Sequence, residues 1–454
     1  MKNIVMIYCD ELRCDALGCY GNPYGIPTPH IDSLAQNGRR FENCYCTSPV
    51  CVPSRYSMLT SLPPTKTGVY HNEAGMADFG LITDDLTFPQ VLKEAGYRTA
   101  TFGKTHIPPT KTPVFEVEDN QGGEMSLGIS IREEAAHIMK LPGTFQSVLA
   151  ADYPKDRPFW PEQVTTNGIA WMKEQKTPFF IRFSFLQPHT PIVVPEKYVR
   201  MLDEVPFSDK LTCFQTSEFE KRFRQICDIQ DMAPTDVVRM RKYYQAMVLW
   251  LDEQVGKILE AIQENGILEN TWIVFTADHG ASRGENGALA KQTFRPESHR
   301  IPLIFAGKGI EKGVEESICS NLDLGPTLLS ENGIIVPKGF EGVNLLKKRQ
   351  ESVCSIVGYG KRNSRTFPAK RQGMWDEHTG WPQRACIRTR RYRLEITTRL
   401  NDRWAKKEEE DLYFTDREKD PREEQNLADR PEYADIIETL RQQLYAYSHA
   451  QKII

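Results

Sequence analysis

Apolar residues along this chain come in two rhythms. Short runs rich in apolar and β-prone residues occupy 4–8, 97–102, 179–185 and 271–276. Runs of that length with little polar interruption predict strands buried on both faces, as in a parallel sheet. Elsewhere the spacing lengthens to a helical period. Residues 31–37 stop at Gly38, residues 86–95 stop at Gly96, and residues 240–264 stop at Asn265-Gly266. A glycine or asparagine after the last periodic position closes a helix. The third of these helices carries Met247, Leu251, Val255, Ile258, Leu259 and Ile262 on one face, so it belongs to the core layer. Its Tyr243, Tyr244 and Trp250 read as packing residues. Strand and helix in alternation predict an α/β fold, with a large, mostly parallel sheet sandwiched by helices.

The pattern changes near Lys347-Lys348-Arg349-Gln350. Beyond it, 355–359, 386–388 and 392–395 read as strands and 433–448 as a final helix. This predicts a smaller α+β subdomain with an antiparallel sheet, and hence two units, 1–350 and 351–454. A chain of 454 residues has ample material for both. Its 57 Lys+Arg against 61 Asp+Glu lack the basic excess of a nucleic-acid binder. No run is long and apolar enough to span a membrane, and the apolar run near the start is too short for a signal peptide. The 11 cysteines are odd in number and scattered, without paired Cys-x-x-Cys spacing. Cys9, Cys14, Cys19, Cys44 and Cys46 therefore read as structural thiols of a reducing compartment, and the expected location is cytoplasmic.

Each of the four strand candidates ends in groups capable of chemistry. The first delivers Asp10-Glu11, the second Gly103-Lys104-Thr105-His106, the third Gln187-Pro188-His189 and the fourth Asp278-His279-Gly280. Ligands of open α/β sheets bind at the carboxyl ends of the strands. Any one of these segments alone is an ordinary strand-end turn or helix cap. Together, Asp10, Glu11, Asp278 and His279 form a donor set for a hard divalent ion such as Ca2+, with Mg2+ or another divalent ion as alternatives. His30, His71, His137, His378 and His449 keep the ordinary reading of surface or core groups, and His299 stands between the two classes.

The most specific stretch is Cys51-Val52-Pro53-Ser54-Arg55, followed by Leu59-Thr60. Pro53 suits the first turn of a helix, which puts Cys51 at a helix N-terminus where anions bind. Arg55 adds a planar cation one turn on, suited to an oxyanion. A lone cysteine is most often a small buried thiol, but this spacing points elsewhere. It resembles the signature of the type I sulfatases of the alkaline-phosphatase superfamily, Cys (or Ser)-x-Pro-x-Arg followed by Leu-Thr. Ser61 stands where that family usually has glycine, and Leu62 where arginine is frequent.

The resemblance implies that Cys51 is the precursor of formylglycine, made by a maturation enzyme, and that it also meets the metal. It implies that Asp10, Glu11, Asp278 and His279 are metal ligands, with Glu11 replacing the family's second aspartate. Lys104 and His106 match the family's Gly-Lys-x-His element, as a cation on sulfate and a base on the formylglycine side. His189, in Pro188-His189-Thr190-Pro191, matches the acid that protonates the leaving alcohol. Lys291 matches a second cation on sulfate, and Arg55 joins them. The run from Asp411-Leu412-Tyr413-Phe414 to Asn426-Leu427 resembles the family's ending, so the likeness spans nearly the whole chain. The implied substrate is a sulfate monoester of a small molecule or oligosaccharide. A phosphonate monoester or phosphodiester hydrolase of the same superfamily remains open, as does a non-catalytic sulfoglycan-binding protein. Arg362, Arg365, Lys370, Arg371, Trp375, His378 and Trp381 form a cationic and aromatic stretch that would suit a sugar ring, or else a solvated loop. Residues 107–165 and 190–236 read as insertions that wall the pocket.

Overall fold

The structure is a computed structural model that describes residues 1–123, 134–140, 148–361 and 381–450. Its main sheet has eight strands. They are β1 (Asn3–Asp10), β2 (Arg39–Tyr45), β3 (Arg98–Gly103), β4 (Val117–Asp119), β5 (Phe179–Pro188), β6 (Thr271–Ala277), β7 (Leu303–Ala306) and β8 (Gly313–Ser320). Their order across the sheet is β8-β2-β7-β6-β1-β5-β3-β4. All run parallel except β7, which is antiparallel to both neighbours. The four strands that the sequence singles out are β1, β3, β5 and β6. They lie side by side in the middle of the sheet, in the order β6-β1-β5-β3. Tyr8 pairs with Ser184 on one side and Thr276 on the other, and Ser184 pairs with Gly103. Four neighbouring strands of one direction thus release Asp278, Asp10, His189 and Lys104 at a single edge.

Centrality explains the unbroken apolar runs, because every residue of β1, β5 and β6 is buried. The two faces carry different layers. Helix α1 (Cys51–Thr60) and helix α2 (Phe88–Glu94) cover the face of Tyr8, Phe180 and Ser184, with Phe88 edge-on to Phe180 at 5.2 Å. Helix α3 (Glu162–Glu174) and helix α4 (Pro234–Glu264) cover the face of Ile7, Phe183 and Phe185. Gly168 of α3 lies so close to the Phe183 ring that a Cβ there would meet it at 2.3 Å. Trp250 of α4 fills the gap between Phe159 and Phe185, at 5.1 and 5.8 Å between ring centroids. Helix α4 begins six residues earlier than its apolar period predicts, because Pro234 takes the first turn, where a missing N–H costs nothing. Tyr243 and Tyr244 do more than pack: their hydroxyls donate to Asp152 at 2.6 Å and to the Glu11 carbonyl at 2.7 Å. Among the described residues, no helix is long and apolar enough to cross a membrane.

The second sheet is antiparallel throughout. It comprises β9 (Ser352–Val357), β10 (Gln383–Thr389), β11 (Tyr392–Leu400), β12 (Arg403–Trp404) and β13 (Tyr413–Asp416). Helix α5 (Ala434–His449) lies on it, and Ile356, Ile387, Leu394, Phe414, Leu440 and Leu444 form a separate apolar cluster there. This unit grips the first through buried charge. Glu423 accepts bonds from Arg388 at 2.7 and 3.0 Å and pairs with Arg393 at 2.9 Å. Both arginines also donate to the Phe294 carbonyl, and Arg388 Nε donates to His299 Nδ1 at 3.0 Å. His299 is therefore a structural group, buried between the two units.

Burial alone would raise the Glu423 carboxyl, but Arg388 and Arg393 outweigh it and hold the group at about 2, against an ordinary 4.5. Its folded value is depressed, so its contribution is complete above pH 4.5 and fades as pH falls toward 2. We expect Glu423→Gln to cost about 3–5 kcal/mol at neutral pH, the price of stranding buried arginines. Denaturant unfolding at stepped pH checks this, because the gap between parent and variant should close as the solution is acidified. A gap that stays constant contradicts the assignment.

Candidate active site

Cys51 opens helix α1 behind an extended Val50. No side chain of the helix caps this end. Instead Asn72 Oδ1 accepts the Val52 N–H at 2.9 Å, satisfying one of the orphan donors of the first turn. Ser54 Oγ donates to the Asp278 carbonyl, and Asn321 Nδ2 donates to the Ser54 carbonyl at 3.1 Å. The start of the helix is thus fastened to the end of β6. All ten residues of α1 are buried. At its far end Ser61 has φ 52°, a left-handed conformation that glycine adopts without strain. That geometry accounts for glycine being usual at this point of the signature.

Arg55, expected to join the cations on the oxyanion, is held by protein groups on several sides. Nη2 donates to Asp10 Oδ2 at 3.0 Å and Nε to Asp278 Oδ2 at 2.8 Å. Nη1 donates to the Lys104 carbonyl at 2.9 Å and to Ser184 Oγ at 3.1 Å. The ring of Tyr8 lies under it, 5.0 Å from ring centroid to guanidinium carbon. A planar fork suits two carboxylates at once, and the guanidinium is fully buried.

Asp10, Cys51, Asp278 and His279 each place one ligand atom within 4.8 Å of the others, and all four are buried. The sulfur of Cys51 lies 3.2 Å from His279 Nε2 and 3.6 Å from Asp10 Oδ1. His279 Nδ1 donates to the Gly280 carbonyl at 2.8 Å, which turns Nε2 toward the cluster. Two carboxylates and a neutral imidazole are a fitting donor set for a divalent cation. Burial and the neighbouring Asp10 raise the Asp278 carboxyl. Burial disfavours charge on His279, yet Asp278 outweighs it and lifts the imidazole to about 9. A cation among these groups would take the place of that proton.

Two lysines flank the sulfur. Lys291 Nζ lies 2.9 Å from Cys51 Sγ, 3.0 Å from His189 Nε2 and 2.9 Å from Glu11 Oε1. Lys104 Nζ pairs with the Asp10 carboxylate and lies 3.9 Å from Sγ. Burial pushes the Cys51 thiol up, but Lys104, Lys291 and His279 pull it well below its ordinary value. His189 Nδ1 donates to the Thr190 carbonyl, leaving Nε2 to face Lys291. His106 stands at the rim with φ 45°, exposed and beside Gly75, near enough to bias the ionisation of Cys51.

Glu11, expected among the metal ligands, lies beside the four-residue cluster and pairs with cations. One carboxylate oxygen meets Lys291 at 2.9 Å and His189 at 3.5 Å, and the other accepts from Arg283 Nη2 at 3.0 Å. Burial opposes its ionisation, and His189, Lys291 and Arg283 together hold it well below the usual carboxylate range. Sequence reasoning missed Arg283, Ser184, Asn72 and the hydroxyl of Tyr244. None sits in a motif, and only the register of the central strands could have pointed to Ser184. Arg362, Arg365, Lys370, Arg371, Trp375 and His378 lie outside the described residues. Trp381 is buried against Phe219 and Phe223, with centroids 5.3 and 6.2 Å away, and serves packing.

Residues 2–334 match the profile of the sulfatase family. The chain belongs to that family. Residues 284–450 also match the family described as N-sulphoglucosamine sulphohydrolase, C-terminal. An arylsulfatase of Clostridium perfringens is 27% identical over 97% of this chain and 92% of its own length. An ulvan-active sulfatase of Formosa agariphila is 29% identical over 98% of this chain and 80% of its own length. The solved structure of a phosphonate monoester hydrolase from Agrobacterium radiobacter superimposes with a TM-score of 0.78 at 20% identity, covering 99% of this chain and 96% of that one. The last likeness establishes shared fold alone. This sulfatase is a sulfuric ester hydrolase.

We expect Arg55→Met to leave Asp10 and Asp278 stranded in the interior and to destabilise the sulfatase by about 3–5 kcal/mol. Arg55→Lys should rescue little, since one ammonium cannot span two carboxylates and a carbonyl. Denaturant midpoints of the three proteins test this; a lysine variant as stable as the parent refutes the clamp.

Proposed function

We propose that this sulfatase hydrolyses a sulfate monoester borne by a carbohydrate, using a formylglycine made from Cys51 and a divalent cation held by Asp10, Asp278 and His279. The observation that carries the reading is the position of the Cys51 side chain, inside the buried acidic cluster and between two lysines. The formylglycine, once hydrated, would supply a nucleophilic hydroxyl, and the cation would lower the pKa of that hydroxyl. The carbohydrate follows from the ulvan-active relative, which aligns over nearly the whole chain.

The chain's own groups do the rest. Lys104 and Lys291 bind the non-bridging oxygens of the ester and offset the charge that grows on them. Lys291 also keeps His189 Nε2 aimed at the site, and the Thr190 carbonyl holds the ring by Nδ1. In its protonated form, His189 passes a proton from Nε2 to the leaving alcohol oxygen. His106, at the exposed rim, accepts the proton that must leave the second hydroxyl when sulfate is released. Arg55 donates to both carboxylates, Asp10 and Asp278.

Mass analysis of the Cys51 peptide from active enzyme should show the aldehyde, and Cys51→Ala should abolish sulfate release while the far-UV spectrum stays unchanged. Activity with only the unmodified thiol present would refute the nucleophile. Parallel assays on a sugar sulfate and an aryl phosphonate separate the two hydrolase readings, with sulfate expected to win. His189→Ala should lose about 10²–10⁴-fold on alcohols that leave poorly and far less on nitrophenol. Equal losses on both would remove His189 as the acid.

A further inference from the structure

A second cavity, of about 420 Å³, is separate from the catalytic cluster. Cys51, Lys104, His106, His189 and Lys291 take no part in its walls. Arg283 touches both places: it lines the cavity, and its Nη2 donates to Glu11 at 3.0 Å. The other walls include residues 13–24, one end of α4, the 207–214 part of an insertion and residues 421–424 of the C-terminal unit. The volume falls in the range of small-molecule sites, about 300–1,000 Å³.

The charges of this wall are matched. Arg13 pairs with Asp15 at 2.6 Å and with Glu285 at 2.8 Å, Arg300 with Glu42, and Arg422 with Glu424 at 3.7 Å. Arg241 spends its bonds on carbonyls, those of Ser208 at 2.7 Å and Arg283 at 3.2 Å. A wall so balanced exerts little net pull on a nucleotide or another polyanion. It does set donors and acceptors side by side, which suits hydroxyl groups, since each can both donate and accept. Glu297 lines the same cavity, and its Oε2 is buried with no hydrogen-bond partner. A buried acceptor of that kind calls for a donor. Burial and Glu285 lift this carboxyl to about 7, so near neutral pH it can accept from a hydroxyl or donate to one. Tyr24 and Phe207, with centroids 4.6 Å apart, add aromatic surface for the C–H face of a ring. We propose that the cavity is a non-catalytic binding site for an uncharged sugar ring. The choice of a sugar among hydroxyl-rich ligands rests on the carbohydrate substrate proposed above.

Saturation-transfer NMR on the full-length enzyme tests this, with glucose, galactose, rhamnose and N-acetylglucosamine as probes and adenosine triphosphate as the charged control. At least one sugar should bind. Tyr24→Ala, which removes a partly buried ring from the wall, should weaken that binding by about tenfold. Lys291→Ala, in the catalytic cluster, should leave it within about twofold. Turnover of nitrophenyl sulfate by Tyr24→Ala should match the parent. Near-ultraviolet circular dichroism checks each variant, and if Tyr24→Ala is misfolded, Ser208→Trp at an exposed wall position takes its place by filling the cavity. Binding lost in Lys291→Ala but kept in Tyr24→Ala puts the sugar at the catalytic cluster and overturns the inference. Transfer to no sugar, or a nucleotide bound more tightly than every sugar, overturns it as well. An enzyme that binds a sugar here yet frees sulfate from no sugar sulfate sinks the proposed function and leaves this site standing.

Discussion

One buried guanidinium holds this active site together. Arg55 reaches all four central strands or their ends: Asp10 after Tyr8 on β1, Asp278 beyond β6, the Lys104 carbonyl beyond β3 and Ser184 on β5. Two carboxylates emerging from adjacent parallel strands would repel one another, and burial would add to the cost. Arg55 offsets both effects by donating to Asp10 and Asp278 at once. It sits on the same helix as Cys51, one turn away. The element that delivers Cys51 to the cluster therefore also holds the two carboxylates beside it.

Above that clamp the charges form a chain. Arg283 holds Glu11, Glu11 holds Lys291, and Lys291 meets both the Cys51 sulfur and His189. Each member is buried and each is paired, which is the condition for keeping charge in a low-dielectric interior. The replacement of a second aspartate by Glu11 thus has a structural meaning. The longer arm reaches the lysine.

The second sheet contributes by bracing. Arg388 and Arg393 grip the Phe294 carbonyl, three residues after Lys291. Gln292 N–H donates to the Pro49 carbonyl at 3.0 Å, tying the same segment to the approach of Cys51. The C-terminal unit, with Glu423 balancing its arginines, thereby fixes the backbone that carries one of the two lysines beside the sulfur.

The four central strands were readable from their apolar runs because burial on both faces leaves no alternative composition. The helix of Cys51 was readable from Pro53 and the signature around it, and the edge position of Asp10, Lys104, His189 and Asp278 followed from strand ends. Start points of helices were less so: the first turns of α4 are polar, and polar turns carry no period. The partners of Arg55 and Glu11 were not readable, and for one reason. A sequence shows which charged groups exist and near which strand end they fall, but a charge takes its partner from whatever lies within a few ångströms in space. That choice was made by the strand order β6-β1-β5-β3, which puts Asp278 beside Asp10 and within reach of Arg55, and by Arg283, which no motif marks. The local chemistry of this protein was determined by its sequence, through periodicity and strand-end position. The pairing of its buried charges was decided only by tertiary structure, because Coulomb attraction depends on distance and burial and not on spacing along the chain.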